Sequence, residues 1–162
     1  MSFLDLDEWL LDLAAKVDVV YSPLIDIKEY PEGVDVVLVE GAVANEDNLE
    51  LIKKVRDRSK LLISFGDCAV TGNVTAFRNP LGDTESILQL CYLEAADIQN
   101  QLPHEPGIVP TLLERVQPVH AFVNVDLYLP GCPPDAKRIR AAIEPLLSDE
   151  VPHLAGEQIR FG

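Results

Sequence analysis

The sequence predicts an α/β domain with an open, mostly parallel sheet and helices on both faces. Three observations support this fold class. Apolar, β-rich runs alternate along the chain with segments of helical periodicity, which is typical of βαβ units. Two of these runs, Val34–Glu40 and Leu61–Phe65, are nearly continuous in Val, Leu and Ile, as expected for strands buried on both faces. A chain of 162 residues is also long enough to bury the core of one domain.

The chain opens with a helical pattern rather than with a strand. Ser2–Asp5 resembles a capping box, and the apolar residues that follow it at helical spacing are Leu6, Leu10, Leu13 and Val17. A βαβ unit would begin with a strand. We therefore expect either a fold that starts with a helix or a first strand, with its strand-to-helix turn, that is missing from this sequence.

Four runs rich in β-formers are the candidate strands. They are Val17–Leu24, Val34–Glu40, Leu61–Phe65 and Phe122–Leu129. The strands of a parallel sheet run in one direction, so the turns that follow them lie at one edge. Open α/β sheets bind their ligands at that edge.

Two helices are predicted between these runs. Asn45–Arg58 has apolar residues on one side and charges on the other. Thr84–Ile98 has an apolar stripe on which Cys91 lies between Ile87 and Ala95. We therefore expect Cys91 to pack in the core and not to bind a metal.

A last helix is predicted to begin at Pro133 or Pro134, because proline suits the first helical turn. Pro145 should end or kink this helix near Glu144. The expected buried face consists of Ile139, Ile143, Leu146 and Leu147. Residues 150–162 are predicted to form a loosely held tail after a domain of residues 1–149.

Composition excludes several classes of function. The net charge of −14 would repel phosphate backbones, so nucleic-acid binding is not expected. No run approaches the roughly 18–20 apolar residues that cross a bilayer, and the first eight residues are acidic where a signal peptide is basic. A cytoplasmic location without a transmembrane segment follows as the prediction. Three widely spaced cysteines do not form a disulfide framework.

Two cysteines follow buried strands directly and lie in turns dense in glycine or proline. Cys68 follows Gly66 in one turn, and Cys132 lies between Gly131 and Pro133 in the other. Iron–sulfur clusters are held by cysteine thiolates, and glycine lets the backbone approach a bulky group. These two cysteines are candidate metal ligands. The alternative, that both are buried structural cysteines, stays open on spacing alone.

Glu40 ends a predicted strand at the same edge and is a candidate supporting residue. It could tune a cluster or pass protons. The preferred alternative is a carboxylate placed near the N-terminus of the helix that starts at Asn45. Neither a hydrolase triad nor a glycine-rich nucleotide motif is present.

Longer motifs around these residues carry a family resemblance. SFGDCAVTGN at Ser64–Asn73 and VDLYLPGCPP at Val125–Pro134 resemble the third and fourth cluster-ligand motifs of the nickel–iron hydrogenase small subunit family, to which the twenty-kilodalton subunit of complex I also belongs. VVLVEG at Val36–Gly41 is similar to the strand before them. RNPLG at Arg78–Gly82 and HEPGIVP at His104–Pro110 most resemble the small subunit of soluble, bidirectional NAD-linked hydrogenases.

This resemblance implies a flavodoxin-like domain that holds the proximal 4Fe–4S cluster, with Cys68 and Cys132 as two of its four ligands. It also implies an electron-transfer subunit that is not catalytic alone. Its partners would be a nickel–iron large subunit and diaphorase subunits that reduce NAD. In this family the other two ligands come from a Cys-x-Gly-Cys-His-like turn just before the Met-Ser-Phe segment. We therefore expect them, and the first strand, upstream of Met1.

Two alternative functions remain open from the sequence. A complex I-type 4Fe–4S subunit would have the same cysteine motifs. A flavin-binding or scaffolding flavodoxin-like module would have structural cysteines and no cluster, and FMN is accordingly a further candidate cofactor. In the hydrogenase interpretation, a face and the ligand edge of the isolated chain should expose a large apolar area.

Overall fold

The structure is a computed structural model, and it describes residues 3–23, 25–97 and 100–161. In chain order its strands are β1 (Val34–Glu40), β2 (Val43–Asn45), β3 (Ser59–Phe65), β4 (Leu112–Gln117) and β5 (Leu127–Leu129). Its α-helices are α1 (Glu8–Ala14), α2 (Glu46–Arg58), α3 (Gly66–Thr71), α4 (Thr84–Gln89) and α5 (Ala136–Ile143). Short 3₁₀ or π turns connect several of these elements.

A three-stranded parallel sheet of order β1-β3-β5 forms the centre of the fold. Alternate residues of β3 point to opposite faces of the sheet. Ile63 and Phe65 pack with residues of α1 and α5, whereas Leu62 packs with Ile52 and Val55 of α2. Helices therefore cover both faces, and the predicted α/β class is confirmed.

The prediction that β1 is buried on both faces is wrong. No residue of β1 is buried, and Val36 is 38% exposed. Within the described residues β1 pairs only with β3, so its other edge carries no strand.

The predicted strand Val17–Leu24 is also absent over residues 17–23, and Leu24 lies outside the described residues. A strand needs a hydrogen-bonded neighbour for its backbone groups. In the described part of the chain, this segment has no neighbouring strand with which to pair. Val19 and Val20 are exposed accordingly.

The N-terminal helical pattern gives two short pieces, a 3₁₀ turn at Leu4–Leu6 and α1. Leu6 and Leu13 pack into the core beneath the sheet. The helix predicted at Asn45–Arg58 is confirmed as α2, with Asn45 as its N-cap: the Asn48 N–H donates to Asn45 Oδ1 at 2.8 Å.

The helix predicted over Thr84–Ile98 is only partly correct. α4 ends at Gln89, a π turn follows at Leu90–Glu94, and Ile98 lies outside the described residues. No residue of either piece is buried, and the expectation that Cys91 packs in the core is wrong because Cys91 is exposed. The segment packs mainly near β4, at the periphery of the fold.

The last helix, α5, begins later than predicted. Asp135 is its N-cap and accepts a hydrogen bond from the Arg138 N–H at 2.9 Å. Pro133 and Pro134 precede the helix and belong to the turn. The helix ends at Ile143, next to Glu144 as predicted, and Pro145 opens a 3₁₀ turn. Of the expected buried face, Ile139 and Ile143 are buried, and Leu146 and Leu147 are half-buried against the same core.

A second, antiparallel sheet of β2 and β4 was not expected from the sequence. Side chains of the RNPLG loop bind its backbone. The Arg78 guanidinium donates to the carbonyls of Ala44 and Leu113, and Asn79 exchanges two hydrogen bonds of 2.8 Å with the backbone of Val116. This loop thereby fixes the small sheet beside α3.

Residues after 149 contact the domain. Leu154 packs against the core beneath α5, and the Arg160 carbonyl accepts a hydrogen bond from Arg138 at 2.7 Å. Among the residues described, none of the helices is long and apolar enough to cross a membrane.

Candidate functional site

Cys68 lies in the first turn of α3, directly after β3. Helix α3 begins at Gly66, whose φ of 81° lies in the left-handed region that glycine adopts without strain. A Cβ at Gly66 would lie 3.5 Å from the Gly131 carbonyl oxygen, so the second cysteine turn runs against this position. Cys68 itself is half-buried.

Cys132 lies in the turn after β5 and is exposed. Gly131 before it is buried and has a φ of 140°. A Cβ there would come within 2.5 Å of the Pro134 Cα, which is closer than real contacts allow. Only glycine therefore fits at this position. The Cys132–Pro133 peptide bond is cis.

The two cysteine turns are joined by a pair of hydrogen bonds. The Asp67 N–H donates to the Gly131 carbonyl at 2.9 Å, and the Gly131 N–H donates to Asp67 Oδ1 at 2.6 Å. Because β3 and β5 are parallel neighbours with Phe65 opposite Leu129, both turns leave the sheet at the same edge. The residues that flank Cys68 and Cys132 are thus in direct contact.

Asn73 reaches the second cysteine turn from the end of α3. Its Nδ2 lies 3.4 Å from the Cys132 Sγ and donates a hydrogen bond to it. This residue was not predicted to belong to the site, although it closes the SFGDCAVTGN motif. The available signal was its position after Gly72, since asparagine is one of the few residues that tolerates a positive φ.

Glu40 ends β1 opposite Phe65, at the same edge of the sheet as the two turns, and is exposed. Helix α2 begins six residues further on, with Glu46 and Asp47 in its first turn.

Cys68 and Cys132 place two thiols, which are soft donor groups, on the turns at this edge. Nowhere in the described ranges do three or more His, Cys, Asp or Glu side chains form a group that could hold a metal ion. The two thiols lie on turns that contact each other, and glycines stand where the backbone must approach closely. The two thiols therefore fit half of a four-thiolate site. They do not complete one.

Exposed apolar side chains follow α3 in the chain. The 3₁₀ turn Asn73–Arg78 follows α3 directly, and the exposed apolar side chains in and just after it are Val74, Phe77 and Leu81. Tyr128 of β5 is 40% exposed and contacts the ring of His120.

Comparison with known proteins gives a consistent result. A family described as "NADH ubiquinone oxidoreductase, 20 Kd subunit" matches residues 1–146. The chain is 40% identical over 156 residues to a subunit of the F420-non-reducing hydrogenase of Methanocaldococcus jannaschii. It is 38% identical over 152 residues to the delta subunit of the NAD-reducing hydrogenase HoxS of Cupriavidus necator. These matches cover 95% and 91% of this chain.

A solved chain is also similar in fold. It comes from an NAD⁺-reducing [NiFe]-hydrogenase in the H₂-reduced state and superposes with a TM-score of 0.92 at 37% identity, covering 100% of this chain and 90% of that one. The chain spans 53% of the Methanocaldococcus protein and 72% of the Cupriavidus protein. The resemblance found in the motifs is confirmed.

Proposed function

Because the chain belongs to the family of the NADH ubiquinone oxidoreductase 20 Kd subunit, we propose that it is the electron-transfer small subunit of an NAD-linked nickel–iron hydrogenase. The enzyme as a whole would oxidise H₂ and reduce NAD, and this subunit alone would not be catalytic. The similarity to the HoxS delta subunit over 91% of the chain carries the proposal, together with the two joined cysteine turns.

Cys68 and Cys132 are proposed as two ligands of the proximal 4Fe–4S cluster. Such a cluster supplies one-electron transfer at a potential set by burial, charge and hydrogen bonds to sulfur. The chain has three cysteines, and Cys91 lies on a separate π turn, so two ligands would come from residues outside these 162. Gly66 and Gly131 would let the backbone come close to the cluster, and Glu40 is proposed as a supporting residue at the same edge.

The proposed electron path is the one that the family resemblance implies. The cluster would accept electrons from a nickel–iron centre in a large subunit and pass them to diaphorase subunits that reduce NAD. The exposed apolar side chains of Val74, Phe77 and Leu81 follow Asn73 in the chain, and they would be covered in the complex. We place this complex in the cytoplasm.

Cysteine variants test the cluster. In a complex purified without oxygen and encoded with the upstream reading frame, Cys68→Ser and Cys132→Ser should each lose the four irons of one cluster together, because each variant removes one of the thiolates that hold the cluster. Iron, acid-labile sulfide and H₂-dependent NAD reduction are measured. Cys91→Ser is the matched control, since Cys91 is exposed away from the two turns, and it should keep its iron. Iron loss in the control, or none in the other two, would contradict the assignment.

A complex I-type subunit is the second candidate, since the matching family carries that description. The same purified complex separates the two: H₂-dependent NAD reduction supports the hydrogenase, whereas quinone-linked NADH oxidation without hydrogenase activity supports the alternative. A yellow, iron-free protein would instead support a flavin-binding module, with FMN identified by its absorption after extraction.

A further inference from the structure

Asn73 has a backbone conformation that the function proposed so far leaves unexplained. Its φ is 37°, in the left-handed region that residues other than glycine rarely occupy. Strained conformations of this kind persist only where surrounding contacts hold them, and they cluster at functional sites. We therefore expect the contacts of Asn73 to hold it in this conformation.

Hydrogen bonds connect Asn73 to both cysteine turns. Its N–H donates to Thr71 Oγ1 at 3.3 Å, and that hydroxyl donates to the Asp67 carbonyl at 2.8 Å. Asp67 exchanges two hydrogen bonds with Gly131. Asn73 Nδ2 then donates to the sulfur of Cys132, the next residue after Gly131. These hydrogen bonds therefore form a chain from Gly131 through Asp67, Thr71 and Asn73 to Cys132, which lies in the same turn as Gly131.

We propose that Asn73 is a positioning residue that orients the Cys132 sulfur and, on the basis of the proposed function, raises the reduction potential of the cluster bound there. The side-chain amide keeps its N–H groups at every physiological pH, so it is a permanent donor toward sulfur. A donor to a ligand sulfur stabilises the added negative charge of the reduced cluster. Loss of that donor should make the cluster harder to reduce.

Two variants separate the hydrogen bond from the backbone. Asn73→Gly accepts the positive φ and removes the donor, and Asn73→Asp keeps the shape but presents an acceptor to sulfur. We expect reduction of the cluster in the holo-complex to weaken about tenfold in Asn73→Gly, which is a fall of about 59 mV for a one-electron couple. Asn73→Asp should fall further. Redox titration followed by electron paramagnetic resonance measures both, and unchanged potentials would overturn the tuning role.

A second measurement needs no cluster. In the full 162-residue chain without iron, the side-chain amide signal of Asn73 is identified by NMR through its loss in Asn73→Gly. It should shift in Cys132→Ala and stay in place in the matched variant Cys91→Ala. An unchanged signal in Cys132→Ala would overturn the contact itself. A shifted signal in a protein whose complex binds no iron would support the contact and refute the proposed function.

Discussion

Glycines decide whether the two cysteine turns can form. At Gly131 a side chain would collide with the backbone of Pro134, whereas at Gly66, 3.5 Å from the Gly131 carbonyl oxygen, the positive φ of 81° is what favours glycine. The two glycines act on the same contact, because Gly131 also exchanges hydrogen bonds with Asp67. A methyl group at Gly131 therefore affects both the turn of Cys132 and its attachment to the turn of Cys68.

Gly131→Ala should destabilise the chain far more than Gly107→Ala. Both glycines have positive φ, and each substitution costs about 1–3 kcal/mol in backbone strain. A Cβ at Gly107 has open space, whereas one at Gly131 lies 2.5 Å from a backbone atom, which adds roughly 1–3 kcal/mol of overpacking. Urea unfolding measures the difference. Equal losses in the two variants would show that the overlap at Gly131 relaxes.

For single residues, the sequence predicted which residue types lie at the site and at which edge of the sheet, but not their backbone angles. Both cysteines could be placed at one edge because each follows a buried strand. The role of Asn73 could not be predicted, since its hydrogen bond depends on a φ of 37° and on a turn 59 residues away in sequence. The prediction for Cys91 was wrong because an apolar stripe on a helix becomes buried only where another element packs on it.

Among the elements, Asp126 connects β5, β3 and α2. Its carboxylate accepts from the Leu62 N–H at 2.7 Å and from the Arg56 guanidinium at 2.5 Å, and its own N–H donates to the Leu62 carbonyl. Partial burial alone would raise the pKa of Asp126, but the bonds from Leu62 and Arg56 outweigh it, and the pKa is lowered. The ionised carboxylate is the form that holds these elements together.

This lowered pKa predicts a pH-dependent contribution to stability. A carboxyl group with a lower pKa in the folded state stabilises the fold above its unfolded pKa of about 3.9, and the contribution is lost as pH falls through the folded pKa. Asp126→Asn should cost about 1 kcal/mol near neutral pH, a modest value because the side chain is 42% exposed.

Chemical unfolding at several pH values checks this prediction. The difference in free energy of unfolding between the parent chain and Asp126→Asn should be constant from about pH 6 to 8 and shrink below about pH 4. Asp35→Asn is the control, because Asp35 pairs with Lys60 in an exposed contact. That variant should change stability by less than about 0.5 kcal/mol. A difference for Asp126→Asn that grows in acid would contradict the assignment.

Elements with local periodicity and a neighbour to pack against could be predicted, and elements that depend on distant pairing could not. Helix α2 could be predicted because its N-cap and its apolar stripe are visible in the sequence. The stripe packs against Leu62. Strand β4 pairs with the distant β2, and Arg78 and Asn79 also bind its backbone from a loop about 35 residues away. Residues 17–23 have strand composition but no neighbouring strand among the described residues.

For the whole molecule, the net charge opposes self-association and the exposed apolar side chains favour it. The net charge of −14 keeps copies of the chain apart through long-range repulsion. Exposed apolar side chains in and just after the 3₁₀ turn Asn73–Arg78 favour association at short range, and Phe77 and Leu81 are each about two-thirds exposed, at 68% and 67%. Salt screens the repulsion over about 8–10 Å at physiological ionic strength and leaves the apolar attraction in place.

The isolated chain should therefore self-associate as salt is raised. Light scattering should report a larger mass at high than at low ionic strength, and the double variant Phe77→Ser/Leu81→Ser should reduce that increase. Because both side chains are exposed, the double variant should change the free energy of unfolding by no more than about 1 kcal/mol. Leu11→Ser is the matched control, since Leu11 is 73% exposed on a different element, α1, and it should leave the salt response unchanged. Since the same surface would be covered in the proposed complex, added large subunit should suppress self-association of the parent chain. A chain that stays monodisperse and monomeric at all salt concentrations would show that these side chains do not drive self-association. The proposal that a partner covers them would then lose its physical basis.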